Sequence, residues 1–131
     1  MLDMLSNKDY CDYDTCVALM ELGYYYISHY NWRSKDDYLP ATAYWSEDMI
    51  PMIHLYDAQK WLRDEKRIYV MLETPWKTDD GLGWSYICCN KPLTEEDQEV
   101  CFASGGFFDS YEEALLEGIK EAIKLLKEER K

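Results

Sequence analysis

Ser110 and Glu113 stand three residues apart directly before Ala114-Leu115-Leu116, the spacing at which a serine and a glutamate cap a new helix. Leu115, Ile119, Ala122, Ile123 and Leu126 then recur at helical spacing, while Glu117, Lys120, Glu121, Lys124 and Lys127 fill the opposite side. A one-sided helix of this kind must lie on an apolar surface made by the rest of the chain. The opening Ser110-Tyr111-Glu112-Glu113-Ala114 therefore predicts a layered fold with a helix as its lid.

With 131 residues the chain is long enough for one hydrophobic core, and it is read as a single domain over 1–131. Twelve tyrosines and five tryptophans rule out a disordered polymer, because such side chains bury too much area to stay solvated. Met1-Leu2-Asp3-Met4-Leu5 carries an acid where a secretory leader carries a base, and no apolar run approaches bilayer length. The expectation is a soluble, cytoplasmic protein that binds no membrane. Five cysteines, an odd number, are then expected to be reduced and buried.

Charge narrows the partners. Fourteen bases against 26 acids give a formal net charge of −12. Residues 112–131 account for only −1 of it, so the body of the chain is acidic. Such a surface repels phosphate backbones, and direct nucleic-acid binding is not expected.

Along the chain, Asp12 to Thr15 predicts a helix start with Gly23 as its stop. Tyr24–Trp32 reads as a strand, Arg33–Asp37 as a turn, and Thr42–Trp45 as the returning strand. Ile50-Pro51 breaks the chain, and Leu55, Ala58, Trp61 and Leu62 mark a second helix. Arg67–Glu73, Trp84–Cys89 and Glu99–Ala103 read as strands, with Asp79-Asp80-Gly81 a turn, Thr94–Asp97 a loop and Ser104-Gly105-Gly106 a flexible connection. The strands outnumber the crossovers that a parallel sheet needs. The expected fold is α+β, an antiparallel sheet with three helices on one face, in the order α-β-β-α-β-β-β-α. Tyr13-Asp14 and Tyr56-Asp57 each open a helix, a faint echo of an internal duplication.

Ile50-Pro51, Ala58-Gln59-Lys60-Trp61-Leu62-Arg63-Asp64 running into Ile68, and Ser110–Ala114 with Gly118-Ile119 resemble small uncharacterised proteins of gut anaerobic bacteria and their phages. The likeness spans residues 50–126. It implies an α+β fold and, because these are packing and capping residues, it carries over no catalytic residue.

Tests for specific chemistry return little. Cys11, Cys16, Cys88, Cys89, Cys101, His29 and His54 show neither CxxC nor HxxxH spacing, so no metal site and no cofactor is expected. A thiol nucleophile would need His29 or His54 brought to Cys88 or Cys101 by the fold. Asp79-Asp80-Gly81-Leu82-Gly83 lacks the alternating oxygens of a calcium loop, and Ser104-Gly105-Gly106 lacks a phosphate-loop lysine.

Aromatics remain as the feature in excess. On a strand, Tyr24, Tyr26, Tyr30 and Trp32 share one face, and Tyr and Trp are favoured at protein interfaces. These four are the candidate interaction surface, for a protein partner or a second copy of the chain. Three functions compete: a non-catalytic interaction or accessory protein, phage-related by the resemblance; an acidic nucleic-acid mimic that inhibits a host enzyme; and a small enzyme with scattered Cys and His residues.

Overall fold

A computed structural model describes residues 9–24, 26, 28–40, 42, 49–78, 81–89 and 101–129, with the backbone alone over 74–78, 81–82, 101–107 and 129. The order is α1 (Tyr13–Glu21), β1 (Tyr30–Ser34), β2 (Asp37–Pro40), β3 (Ile50–Pro51), α2 (Leu55–Lys66), β4 (Tyr69–Thr78), β5 (Gly81–Cys89), β6 (Cys101–Phe108) and α3 (Tyr111–Glu129). The fold is α+β with antiparallel pairing throughout the named strands. Among the described residues, the expected single sheet is instead two three-stranded sheets, ordered β2-β1-β3 and β4-β5-β6. The chain divides into two compact units, residues 1–58 and 59–131, the boundary falling inside α2.

In the first unit, Asp12 caps α1 by accepting the Thr15 N–H at 2.9 Å. At the other end the Gly23 N–H bonds the Met20 carbonyl and the Tyr24 N–H bonds the Leu19 carbonyl, each at 3.0 Å, while Gly23 takes a φ of 112°. That is a Schellman closure, and only glycine enters its backbone region without strain. The strand expected over Tyr24–Trp32 begins only at Tyr30, and the hairpin turns tightly at Lys35-Asp36. The predicted return strand at Thr42–Trp45 is replaced by Asp37–Pro40; Thr42 lies in a turn and residues 43–45 are outside the described residues.

Ile50-Pro51 does not merely break the chain but pairs with Trp32 and Asn31 as a short strand. Proline is tolerated there because β3 is an edge, where a missing donor costs no ladder bond. A further bridge joins Tyr10 to His54, and the Cys11 N–H bonds the Ile53 carbonyl at 2.8 Å.

In the second unit, α3 is the lid that its sequence predicts. Ser110 Oγ accepts the Glu113 N–H at 3.1 Å, and Ala114, Leu115, Ile119, Ala122 and Ile123 are buried. Gly118 faces Val70 and Tyr86 so closely that a Cβ would lie 2.6 Å from Val70 Cγ1. β6 runs through Ser104-Gly105-Gly106, which is strand and not a flexible connection. The register slips beside these glycines, where Trp84 opposes Phe108 and Tyr86 opposes Gly105. Glycine at a slipped register marks a bulge. Asp79-Asp80 and Asn90–Val100 lie outside the described residues. The two sheets also differ in connectivity: the strand following α1 is central, whereas the strand following α2 is an edge. That difference argues against reading the units as copies.

Cys89 is disulfide-bonded, which corrects the expectation of five reduced thiols, while Cys11, Cys16 and Cys88 are thiols outside any disulfide. The backbone of Cys89 stands opposite Cys101 in the β5–β6 ladder. Among the described residues, no helix is long and apolar enough to cross a membrane.

Candidate functional site

The first unit holds a cleft of about 430 Å³ lined by Tyr10, Tyr24, Met52, His54, Tyr56 and Asp57, with Ser28, His29 and Ile53 completing it. Four pieces of chain bring its principal lining residues. The segment before α1 brings Tyr10, the Schellman turn brings Tyr24, the link from β3 to α2 brings Met52 and His54, and the first turn of α2 brings Tyr56 and Asp57. The Ser28 hydroxyl donates to the Met52 carbonyl, and the Met52 N–H donates to the Tyr30 carbonyl at 2.9 Å, so β1 anchors the floor.

Rings dominate the walls. Tyr10 meets His54 edge to face at 5.3 Å, His54 stacks on Tyr56 at 5.1 Å, and Tyr24 meets Tyr26 edge to face at 5.4 Å. The array continues from Tyr10 through Tyr30 and Tyr38 to Trp32 and Tyr13, with successive centroids 5.8–6.4 Å apart. These are the favoured separations for aromatic pairs and give the cleft rigid, electron-rich walls. His54 Nδ1 accepts the Tyr56 N–H at 3.2 Å, a bond that requires that nitrogen to be unprotonated.

Burial dominates the electrostatics of the cleft phenols, and Asp57 adds to it. Burial first, then Tyr30, Asp9 and Asp57, pushes the Tyr10 hydroxyl above its ordinary range. Burial, followed by Asp57, Cys11, Cys16 and Tyr26, pushes Tyr24 up to about 12. Both phenols thus feel the Asp57 carboxylate, and both remain neutral near pH 7.

The four sequence-predicted residues separate. Tyr24 forms part of the cleft wall and is buried, at 6% exposure. Tyr26 is 57% exposed, and among the described residues it and Tyr56 are the large hydrophobic side chains most open to solvent. Tyr30 is half-buried within the ring array, whereas Trp32, at 8% exposure, points into the core. Sequence reasoning missed Tyr10, His54, Tyr56 and Asp57. Tyr56-Asp57 stood out only as a helix opening, and the Tyr10–His54 bridge spans too many residues for any local pattern to signal it.

Two buried thiols differ in character. Cys88 donates to the Gly118 carbonyl at 3.4 Å, and burial with the Glu121 charge pushes it up to about 12. Cys16 Sγ instead accepts the Trp32 indole N–H and the Ile53 backbone N–H, each at 3.4 Å. Among the described residues no group of three or more His, Cys, Asp or Glu is arranged to hold a metal ion. Comparisons with protein-family models, with curated proteins and with solved structures found no match to this chain.

Proposed function

We propose that this chain is a small non-catalytic interaction protein that binds a basic segment of a protein partner, seating a lysine or arginine side chain in the cleft. The observation that carries the reading is the pairing of Tyr10, Tyr24 and Tyr56 with the Asp57 carboxylate in one cavity. Aromatic faces attract a cation through their quadrupoles, worth about 0.5–2 kcal/mol per contact depending on desolvation. A carboxylate adds a charge-assisted hydrogen bond of about 1.5–3 kcal/mol. The formal charge of −12 supports the same polarity at long range, steering a basic partner and repelling acidic ones.

Cleft size fits this ligand. About 430 Å³ lies near the lower end of the range for small-molecule sites and suits one long side chain with its flanking backbone. The half-exposed Tyr56 ring and the exposed Tyr26 ring flank it as apolar contact area.

Fluorescence anisotropy with labelled peptides that differ at one central residue tests the proposal. Lysine and arginine peptides should bind, and norleucine and glutamate peptides should not. Asp57→Asn should weaken the lysine peptide by roughly tenfold or more, consistent with the charged bond it removes. Equal binding of lysine and norleucine peptides would contradict the reading.

A further inference from the structure

Beneath the cleft floor, Cys11 and Cys16 lie together in a setting that the binding reading does not use. Cys11 precedes the α1 N-cap and Cys16 sits in the first turns of that helix, with exposures of 1% and 0%. The Cys16 thiol donates to the Cys11 carbonyl oxygen at 3.6 Å, so the two residues are in contact. Two donors, the Trp32 indole N–H and the Ile53 N–H, converge on the Cys16 sulfur from two other segments of the chain. A sulfur buried only for packing needs no donors around it, as the Gly118-bonded Cys88 illustrates. Donors aimed at sulfur stabilise the thiolate, the form that attacks disulfides, and the helix N-terminus adds to this.

We propose that Cys11 and Cys16 are a redox-active dithiol that closes to an intramolecular disulfide by exchange with a low-molecular-weight disulfide such as oxidised glutathione. The Cys16 thiolate attacks one glutathione sulfur, the S–S bond breaks, and glutathione thiolate leaves to take up the proton Cys16 has lost. Cys11, losing its own proton, then attacks Cys16 Sγ and expels the second glutathione, which is protonated in turn. Two protein thiols are oxidised by two electrons, and one glutathione disulfide is reduced to two thiols. The Cys11 thiol first, then the Ile53 and Trp32 donors, hold Cys16 below the ordinary thiol range against the opposing effect of burial, which supports Cys16 as the attacking residue.

The cleft supplies the approach. Ile53, whose N–H touches Cys16 Sγ, lines it, and Cys11 is bonded to the Ile53 carbonyl and follows Tyr10 of the wall. Both sulfurs are covered, so exchange needs a local opening of this floor and is best followed at equilibrium.

The full chain is equilibrated in glutathione buffers of rising oxidised fraction, quenched in acid, alkylated in denaturant and peptide-mapped by mass spectrometry. A linked Cys11–Cys16 species should accumulate while Cys88 remains alkylatable. In Cys11→Ser, Cys16 should stop at a mixed disulfide with one glutathione. Cys11 and Cys16 alkylated in full at every glutathione ratio, or Cys88 oxidised in their place, would overturn the proposal, and the unmodified chain alone decides between these results.

Discussion

The Trp32 indole donates its N–H to Cys16 Sγ over 3.4 Å, joining the middle strand of the first sheet to helix α1. Trp32 is therefore a core residue, although in the sequence it is the last of an alternating aromatic series. Trp32→Ala should cost about 3–5 kcal/mol, the usual penalty for emptying a buried aromatic site. Tyr26→Ser, at the exposed end of the series, should stay within about 0.5 kcal/mol of the parent. Denaturant unfolding of both variants checks the pair, and a neutral Trp32→Ala would place Trp32 at the surface.

At the start of α3, the Ser110 hydroxyl takes one otherwise unpartnered N–H, and Ile119 fills the interior one helical turn past Leu115. Ser110→Ala should lower stability by about 1 kcal/mol and Ile119→Ala by about 2–4 kcal/mol. Thermal unfolding reads both, and the larger loss belongs to Ile119.

Gly118 gives a sharper test of the same packing. Alanine normally stabilises a helix interior by about 1 kcal/mol relative to glycine. Here its Cβ would meet Val70 Cγ1 at 2.6 Å and Tyr86 carbons at 3.1 and 3.2 Å. Overpacking of about 1–3 kcal/mol should outweigh the propensity gain. Gly118→Ala is expected to melt below the parent, and a rise in Tm would mean that α3 does not approach the sheet this closely.

The legible parts of the fold are those written in local chemistry. The Ser110–Glu113 spacing, the apolar stripe from Leu115 to Ile123, the Asp12 cap and the Gly23 stop each act within a few residues, and all four recur in the structure. The division into two sheets was hidden because it depends on which strands meet across long separations. Pro51 looked like a terminator, since its missing N–H excludes it from a central strand, yet an edge partner of Asn31 tolerates it. Gly105-Gly106 looked flexible because glycine in isolation is, while a bulge opposite Tyr86 uses that freedom inside a strand. The cleft was hidden for the same reason as the sheets: Tyr10, Tyr24 and Asp57 converge from three distant segments, and only Tyr24 belonged to a local pattern that pointed to binding.

Alkaline pH should weaken the fold from both units. Cys88 is raised from 9.0 to about 12 and Tyr24 from 10.0 to about 12, so the unfolded chain releases these protons first. Between pH 9 and 12 the folded state holds more protons than the unfolded state, and stability falls as pH rises. Cys16, held lower when folded, contributes in the opposite sense, its part being lost as pH falls through its folded value. Denaturant midpoints across this range should decline, and Cys88→Ala should remove the portion that begins near pH 9. A flat profile would mean that neither group is shielded as described.

Binding of a cation by the Asp57 cleft is the central claim, and chemical-shift mapping tests it most directly because an acidic protein attracts basic peptides weakly over its whole surface. Titrating isotope-labelled protein with a lysine-containing peptide at physiological salt should move the resonances of Tyr10, Tyr24, His54, Tyr56 and Asp57 together with one saturating dependence. Asp57→Asn should move that dependence to roughly tenfold higher peptide concentration while leaving the spectrum otherwise folded. Shifts spread evenly over the acidic surface, or centred on α3, would contradict the account.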